Sequence, residues 1–393
     1  MIKPCRLFPL LLSATTLLLP FVTAVADEAA LKEEDYNLKH RVERLEKSRI
    51  PLHEELAAED EETEKKDAES QAAPSWLDRF HISALIEIEA AYWGTREESE
   101  TDLSLSTLEL GIDYSLNDLF SAHILALYEE DGANPPQIDE ALITLHNLEE
   151  SPWSLAAGRM VLTFGNYESG MITDPLTLYL GETHATAMQA GYLSGTFQAT
   201  VFLGQPRTGN ARDGRHPLYG FNLNRADDTH QEYPAHNIGL SWTSNLTDSD
   251  GLVDAIREAS GLHGAVPGLG MNISIGSGDL LLVAEYMGAT KRFHPKDLAF
   301  REKGALPGAS NLEVDCLFHL AGKKAHLAMA WQYTREALAM VLPENRYLAM
   351  LAMDIHEHTT LSLEYAHDRD YPEKDGGTGD ASNVLTLQLA ASF

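Results

Sequence analysis

Two short segments of this acidic chain gather basic side chains that suit the capture of an anion. They are residues 205–216 and 291–309, and both fall between stretches that alternate apolar and polar residues. Their candidate ligand-binding members are Arg207, Arg212, Arg215, Lys291, Arg292 and Lys296. Guanidinium groups bind carboxylates through paired hydrogen bonds, and clustered positive charge concentrates anions at a channel mouth. We therefore expect either an anionic solute or the phosphate groups of an outer-leaflet glycolipid at these segments, with equal weight.

A third segment, residues 163–183, is too apolar for a loop that only meets water. It reads TFGNYESGMITDPLTLYLGET, and His184 follows it. We expect it to fold into the lumen of a barrel and narrow the pore, although packing against the rim for stability alone is the alternative. The side chains predicted at this constriction are Phe164, Tyr167, Glu168, Asp174, Glu182 and His184.

The elements that position these segments are short strands with a period of two residues. In FHISALIEIEAAYW, the residues Ile82, Ile86 and Ile88 share one face while Glu87 and Glu89 share the other. Fifteen such strands are evident between residues 80 and 393, each long enough to cross a bilayer when tilted. The predicted fold class is all-β transmembrane, a closed antiparallel outer-membrane barrel.

Strand parity adds one more strand. A closed single-chain bacterial barrel has an even number of strands and brings both ends to the periplasmic side. If the short turns are assigned to the periplasmic side from the N-terminus and, separately, from the C-terminus, the two assignments are inconsistent with fifteen strands. They agree if one more strand lies between about residues 205 and 233. The segment PLYGFNLNR supplies it, with Tyr219, Phe221 and Leu223 on one face, so we predict sixteen strands.

The last strand, NVLTLQLAASF, distinguishes a membrane barrel from a soluble β-sandwich or propeller. Leu385, Leu387, Leu389 and Phe393 form an apolar stripe, which neither soluble fold requires. Aromatic residues also recur near strand ends, where barrels place their interfacial girdles. We expect location in the cell outer membrane, contact with outer-membrane lipid, and recognition of the final strand by barrel-assembly machinery.

The first 75 residues have a different composition. Residues 1–26 resemble a signal peptide, with Lys3 and Arg6 before an apolar run and a small-x-small site that ends at Ala26. Residues 27–75 predict a short helical, possibly coiled-coil segment followed by an acidic tether, and a disordered spacer is the alternative. The barrel is expected over residues 76–393, with no membrane-spanning helix in the exported chain.

Charge and motif content exclude several functions. The formal net charge is -31, so nucleic acid is not an expected partner. A calcium-loop-like segment at Asp248–Asp254 has Ala259 where the terminal Glu belongs, and the His356–His358 triplet sits in a predicted turn. We predict no enzyme activity, no cofactor and no metal site.

The segment GRMVLTFGNYESGMITDPLTLYLGETHATAMQAGY resembles the siderophore porin family typified by the legiobactin receptor of Legionella. A second segment, SNLTDSDGLVDAIRE followed by VPGLGMNISIG, is similar to the same family, and the likeness covers about residues 80–393. The resemblance implies a sixteen-stranded barrel without a plug domain that takes up a ferric polycarboxylate siderophore. It supplies no ligand-binding residues, so the basic segments stay an inference from charge.

Two functions follow from the sequence. The first is a selective channel or receptor for a ferric siderophore or another small anionic solute. The second is a general diffusion porin without a dedicated ligand, whose N-terminal segment contacts periplasmic partners. A single barrel and a homotrimer are both open.

Overall fold

A computed structural model describes the barrel region of the chain. The predicted signal peptide at 1–26 and the predicted helical tether at 27–75 lie outside the described residues. The described residues are 79–95, 98–117, 119–130, 136–146, 151–210, 214–215, 217–227, 236–256 and 262–393.

Sixteen strands form a closed antiparallel barrel, as the sequence predicts. Neighbours in the barrel follow chain order, because every connection is a hairpin. The barrel strands are β1 (Phe80–Gly94), β2 (Ser99–Ser115), β3 (Phe120–Tyr128), β4 (Gln137–His146), β5 (Trp153–Val161), β6 (His184–Ser194), β7 (Phe197–Gly204), β10 (Leu218–Asp227), β11 (His236–Thr243), β12 (Gly268–Ser277), β13 (Leu280–Ala289), β16 (Gly308–Leu320), β17 (Lys323–Arg335), β18 (Asn345–His356), β19 (Thr359–Arg369) and β20 (Ala381–Ser392).

The loops at one end of the barrel hold the remaining elements. They are two small hairpins, β8 (Gly209–Asn210) with β9 (Gly214–Arg215) and β14 (Ala299–Phe300) with β15 (Lys303–Gly304); two short helices, α1 (Leu176–Gly181) and α2 (Asp250–Ile256); and 3-10 turns at Leu246–Asp248, Leu338–Met340 and Glu373–Asp375. Among the described residues, no helix is both long enough and apolar enough to cross a membrane.

The barrel closes by pairing its first and last strands. β1 runs antiparallel to β20, and the backbone N–H groups of Ala84 and Phe393 each donate to the other residue's carbonyl oxygen at 3.0 Å. Strand β10, which parity predicts, pairs with β7 on one side and β11 on the other. Each chain therefore encloses its own pore.

The two faces of each strand differ as expected for a lipid-facing barrel. On β20, Leu385, Leu387 and Leu389 are 40–45% exposed on the outside, whereas Thr386 and Gln388 between them are less than 9% exposed. Outward apolar and inward polar residues are the pattern of an outer-membrane barrel. This alternation confirms the interpretation of the terminal stripe.

Aromatic pairs mark both rims of the apolar band. Trp153 and Tyr192 lie 4.8 Å apart between ring centroids on the side of the short turns. Tyr219 and Trp242 lie 5.7 Å apart at the opposite end of β10 and β11. Such girdles sit at the membrane interfaces of barrels.

Short turns lie at the end of the barrel where β1 starts and β20 ends. Gly195, Gly278 and Gly322 have φ values of 58°, 61° and 83° in three of these turns. Two-residue hairpin turns require positive φ, which glycine adopts at little cost. The short turns are periplasmic by the parity rule, and the long loops face outward.

A hydrophobic core fills part of the outward half of the barrel. It is built from residues 162–183, 244–267 and 290–307, which are three of the connections at that end, together with the wall behind them. Its fully buried members include Phe164, Leu176, Leu180, Leu252 and Met287. The outward loops on this side are therefore packed against one another.

Candidate functional site

Residues 162–183, here called the inward loop, connect β5 to β6 by way of the lumen. The Phe164 side chain is 1% exposed and packs in the core, so the loop turns inward as soon as β5 ends. Further along, Leu176 and Leu180 of α1 are fully buried in the same core. The apolar residues that make this segment unusual in sequence are thus the residues that hold it inside the barrel.

One glutamate on the wall binds both halves of the inward loop. Glu285 on β13 accepts the N–H of Asn166 at 2.7 Å and the N–H of Tyr167 at 3.2 Å. Its other oxygen accepts the hydroxyl of Thr177 at 2.6 Å. This carboxylate therefore joins the start of the loop to helix α1.

Two more glutamates continue the same row across the wall. Glu313 on β16 accepts the Ser169 hydroxyl at 2.8 Å and the Gly170 N–H at 2.5 Å. Glu364 on β19 accepts the Ile172 N–H at 2.7 Å and the Thr173 hydroxyl at 2.5 Å. The loop donates to successive carboxylates every three residues, which fixes it along the wall.

These carboxylates accept the backbone N–H groups of a loop that has no regular secondary structure at these positions and lies inside the barrel. Backbone N–H groups removed from water need acceptors, and carboxylates supply stronger hydrogen bonds than neutral acceptors. Gln332 on β17 extends the set by accepting the Leu176 N–H at 3.2 Å. These hydrogen bonds hold the inward loop against the inner wall of the barrel. We refer to Glu285, Glu313 and Glu364 as the anchor glutamates.

Sequence reasoning missed the anchor glutamates. Each is an acidic residue directly between two apolar neighbours on an alternating strand, as in LLVAEYMGA on β13. That signal identifies a lumen-facing position, but it does not distinguish a loop anchor from a residue that lines water. The partner residues lie 108 to 192 positions away in the chain.

The predicted constriction residues take different places. Tyr167 has a left-handed backbone with φ of 54°, and its hydroxyl donates to the Phe164 carbonyl at 2.5 Å. Glu168 is buried and accepts from Asn166 Nδ2 at 3.3 Å, whereas Asp174 is half-buried. Burial raises the pKa of Tyr179 to about 12, and the nearby Asp174 carboxylate adds to the effect.

Close packing holds α1 in its position. A side-chain carbon added at Gly181 would lie 2.5 Å from Met287 Sδ and 2.6 Å from the Tyr167 hydroxyl. A larger residue at this position would force the side chains of Met287 and Tyr167 to shift. The sequence motif LTLYLG therefore ends in glycine for a packing reason.

His184 links the inward loop to an outward loop. Its Nε2 lies 3.0 Å from Asp139 Oδ1 on β4, and its Nδ1 lies 2.8 Å from Asp250 Oδ2 on α2. Glu182 stands beside this group. Burial opposes ionisation of Asp250, but His184 and then Arg207 outweigh it and lower the pKa of that carboxyl.

Two of the predicted mouth arginines pair with carboxylates of neighbouring loops. Arg207 forms an ion pair with Asp250. Arg292 binds Glu336 through two hydrogen bonds of 2.7 and 3.0 Å. These pairs join adjacent outward loops to one another.

The other predicted mouth residues are distributed as follows. Lys291 and Lys296 are exposed, and in the part of the chain that the structure describes neither amine forms an ion pair. Arg212 lies outside the described residues, as does the side chain of Arg215.

The part of the wall formed by strands β1 to β4 is acidic. Strands β1 to β4 contain no lysine or arginine. Glu89 on β1 accepts a hydrogen bond from Gln388 Nε2 at 2.9 Å, and Asp113 on β2 lies 2.8 Å from His123 Nδ1. Glu87 and Glu109 face the same interior.

Comparison with known proteins identifies related chains that are named UPF0422 proteins. No family model matches this sequence. A UPF0422 protein of Coxiella burnetii is 28% identical over 339 residues, which cover 81% of this chain and 73% of that protein. A UPF0422 protein of Legionella pneumophila is 28% identical over 341 residues, covering 75% of this chain and 62% of that protein. The chain thus spans less than two thirds of the Legionella relative.

Solved structures share the fold. The outer-membrane channel DcaP of Acinetobacter baumannii superposes with a TM-score of 0.56 at 13% identity, over 80% of this chain and 97% of that one. OprB of Pseudomonas putida gives 0.56 at 12% identity over 81% and 96%. The chain has the fold of a porin-like β-barrel of the outer membrane. OmpF of Salmonella typhi, with a TM-score of 0.53 at 10% identity over 80% and 97%, has the same architecture.

Proposed function

We propose that this porin-like channel admits a ferric siderophore complex of the polycarboxylate class through a plugless lumen. The observation that supports the proposal is the placement of the inward loop. The segment that resembles the siderophore porins crosses the lumen, where any solute that passes meets it. In the proposal this loop sets the size of the solute, and no energised plug takes part.

In this proposal Lys291 and Lys296 supply the first contact with the anionic complex. Both amines stand on an outward loop and neither is used in an ion pair among the described residues. Arg207 and Arg292 contribute positive charge to the mouth, although each already binds a carboxylate. Long-range attraction of this kind acts on the rate of capture and weakens with salt.

A general diffusion porin is the second candidate, and two observations favour it. The mouth arginines Arg207 and Arg292 are neutralised by Asp250 and Glu336. The wall formed by β1 to β4 carries acidic residues without a lysine or arginine. Neither feature suits a dedicated receptor for an anion. A homotrimer stays a prediction in either case.

Block of single-channel current by ferric citrate, used as a polycarboxylate probe, tests the proposal. The purified full chain is placed in a planar bilayer, and current is recorded with the probe on the outward side. The variant K291E/K296E removes the unpaired amines. The matched control K323E/K324E makes the same charge change at the periplasmic start of β17.

The two candidates give different results. The siderophore proposal expects ferric citrate to block the wild-type current, and expects K291E/K296E to weaken the block at low salt while the control does not. Absence of block by ferric citrate and by a panel of other ferric siderophores would overturn it and support a general porin. If ferric citrate block weakened equally in K291E/K296E and in the control, the role assigned to Lys291 and Lys296 would be wrong.

A further inference from the structure

Two histidines and an aspartate from different outward loops meet above the hydrophobic core. His263 comes from residues 244–267, and His294 and Asp297 come from residues 290–307. The two imidazole rings stack with centroids 3.9 Å apart and an interplanar angle of 12°. One potential ligand atom from each of the three residues lies within 4.8 Å of the others.

The Asp297 carboxylate orients His263. Asp297 Oδ1 lies 2.7 Å from His263 Nδ1, and its other oxygen accepts the His263 backbone N–H at 3.0 Å. The carboxylate is almost fully buried, whereas the His263 ring is 40% exposed. The hydrogen bond between His263 Nδ1 and Asp297 Oδ1 brings together two atoms that could both bind a metal ion in place of the proton.

His294 offers a second nitrogen. Its Nδ1 accepts the Lys296 N–H at 3.2 Å, so this atom is unprotonated, and a metal ion would take its lone pair in place of that hydrogen bond. Neutral imidazole is the form that binds metals.

The backbone holds the three residues in place. Each of them is adjacent in sequence to a buried member of the core: Leu262 before His263, Phe293 before His294, and Leu298 after Asp297. These neighbours are 4%, 3% and 2% exposed. The backbone of the site is therefore in place before any ion arrives, and its outward position gives an ion direct access from the medium.

We propose that His263, His294 and Asp297 bind a divalent transition metal ion at the outward face of the channel. Two imidazoles and one carboxylate suit Zn²⁺, Cu²⁺, Ni²⁺ and Fe²⁺, and leave positions for water. Ligand atoms on a metal lie closer together than 4.8 Å, so small rotations of the rings complete the site. The ion links the two loops. This site departs from the sequence expectation of none and does not depend on the proposed function.

The basic residues nearby work against a cation, and their position limits that effect. Lys291 and Lys296 are exposed, so their amines extend into solvent where salt screens them. Arg292 is paired with Glu336. These positive charges therefore lower the affinity for a metal cation, but none of their side chains occupies the site.

Zinc titration of the untagged, EDTA-treated full chain in detergent tests the assignment. Isothermal calorimetry gives the stoichiometry and affinity for Zn²⁺, and Co²⁺ absorption reports on the ligand geometry. The test variants are H263A/H294A and the conservative D297N. The control H356A/H358A removes two histidines from the periplasmic end, and heat-modifiable mobility on gels confirms that each variant is folded.

The proposal expects one saturable Zn²⁺ site in wild type and control. H263A/H294A should lose at least about tenfold in affinity together with the Co²⁺ bands, because ligand removal costs no less than the roughly 10- to 100-fold seen for outer-shell partners. Unchanged binding in H263A/H294A would overturn the assignment and point to the group of Glu182, His184 and Asp250. No saturable binding by the wild type would overturn it as well.

Discussion

Among the anchor glutamates, Glu285 binds two separate parts of the inward loop. It accepts from Asn166, Tyr167 and Thr177, so its replacement affects both the start of the inward loop and helix α1. In Glu285→Gln, an amide NH₂ replaces one of the two oxygens that accept from Asn166, Tyr167 and Thr177. We expect the variant to lose about 1–3 kcal/mol of stability, because buried donors are left unsatisfied. We also expect noisier single-channel current.

The control for this prediction is Glu89→Gln. Glu89 also faces the lumen but binds Gln388 on β20 and makes no contact with the inward loop in the described structure. Thermal unfolding in detergent and bilayer recordings compare the two. Quiet current in both variants would show that the loop does not depend on Glu285.

Asp250 gives the outward face a pH dependence with a definite sign. Its pKa is lowered in the folded protein because His184 and Arg207 outweigh burial. A lowered carboxyl pKa adds stability above the unfolded pKa, near 3.9, and this contribution disappears as pH falls through the folded value. The stability difference between wild type and Asp250→Asn should therefore shrink below about pH 4. Thermal unfolding across an acid series measures it, and a difference that grows on acidification would contradict it.

At the residue scale, the sequence predicts where a residue lies in the barrel better than it predicts which residue it contacts. It places residues 163–183 inside the lumen from their apolar content, and it finds the basic segments from their charge. It cannot show that Arg207 meets Asp250 or that Arg292 meets Glu336, because these partners are 43 and 44 positions apart. Pairing between loops depends on the three-dimensional arrangement of the barrel.

The inward loop is the element expected to control conductance. Replacing residues 163–182 by two glycines removes it from the lumen and leaves all sixteen strands in place. We expect a several-fold rise in single-channel conductance, because the pore widens to the barrel wall. Shortening the last outward loop, residues 370–380, is the control and should change conductance little. An unchanged conductance in the first variant would mean that the loop does not limit the pore.

Strand β20 offers a test of which face meets lipid. Leu387 points outward at mid-strand, and its neighbour Gln388 points into the lumen. Leu387→Arg should cost about 2–4 kcal/mol, as expected for a cation at the bilayer midplane. Gln388→Arg should cost much less. Urea unfolding in lipid vesicles measures both, and equal costs would contradict the assigned orientation.

At the element scale, the alternation of residues and the parity of the strand count predict the barrel strands. They do not predict the small hairpins and short helices in the loops. Strand β10 has a weak pattern and is identified only because a closed barrel needs an even count. The hairpins β8–β9 and β14–β15 contain two residues per strand, which is too few to show a period. Helix α2, with seven residues, is likewise too short to be recognised from sequence.

The whole barrel has a charge pattern that predicts ion selectivity. The inward residues Glu87, Glu89, Glu109 and Asp113 stand on strands without lysine or arginine. Negative charge along a narrow passage concentrates cations. Reversal potentials in a KCl gradient should therefore show cation preference, and E87Q/E89Q/E109Q should reduce it. Preference for chloride would contradict this and would favour control by the basic mouth.

The positions of the anchor glutamates have a consequence for how the channel is made. The inward loop follows β5, yet its partners Glu285, Glu313 and Glu364 come 119, 144 and 192 positions after the residues that they hold. During synthesis and insertion those backbone donors have no acceptors until the second half of the chain has joined the wall. The inward loop therefore acquires its last acceptor, Glu364, only when β19 joins the wall, and we expect an assembly intermediate that lacks β19 to hold this loop less firmly than the finished protein does.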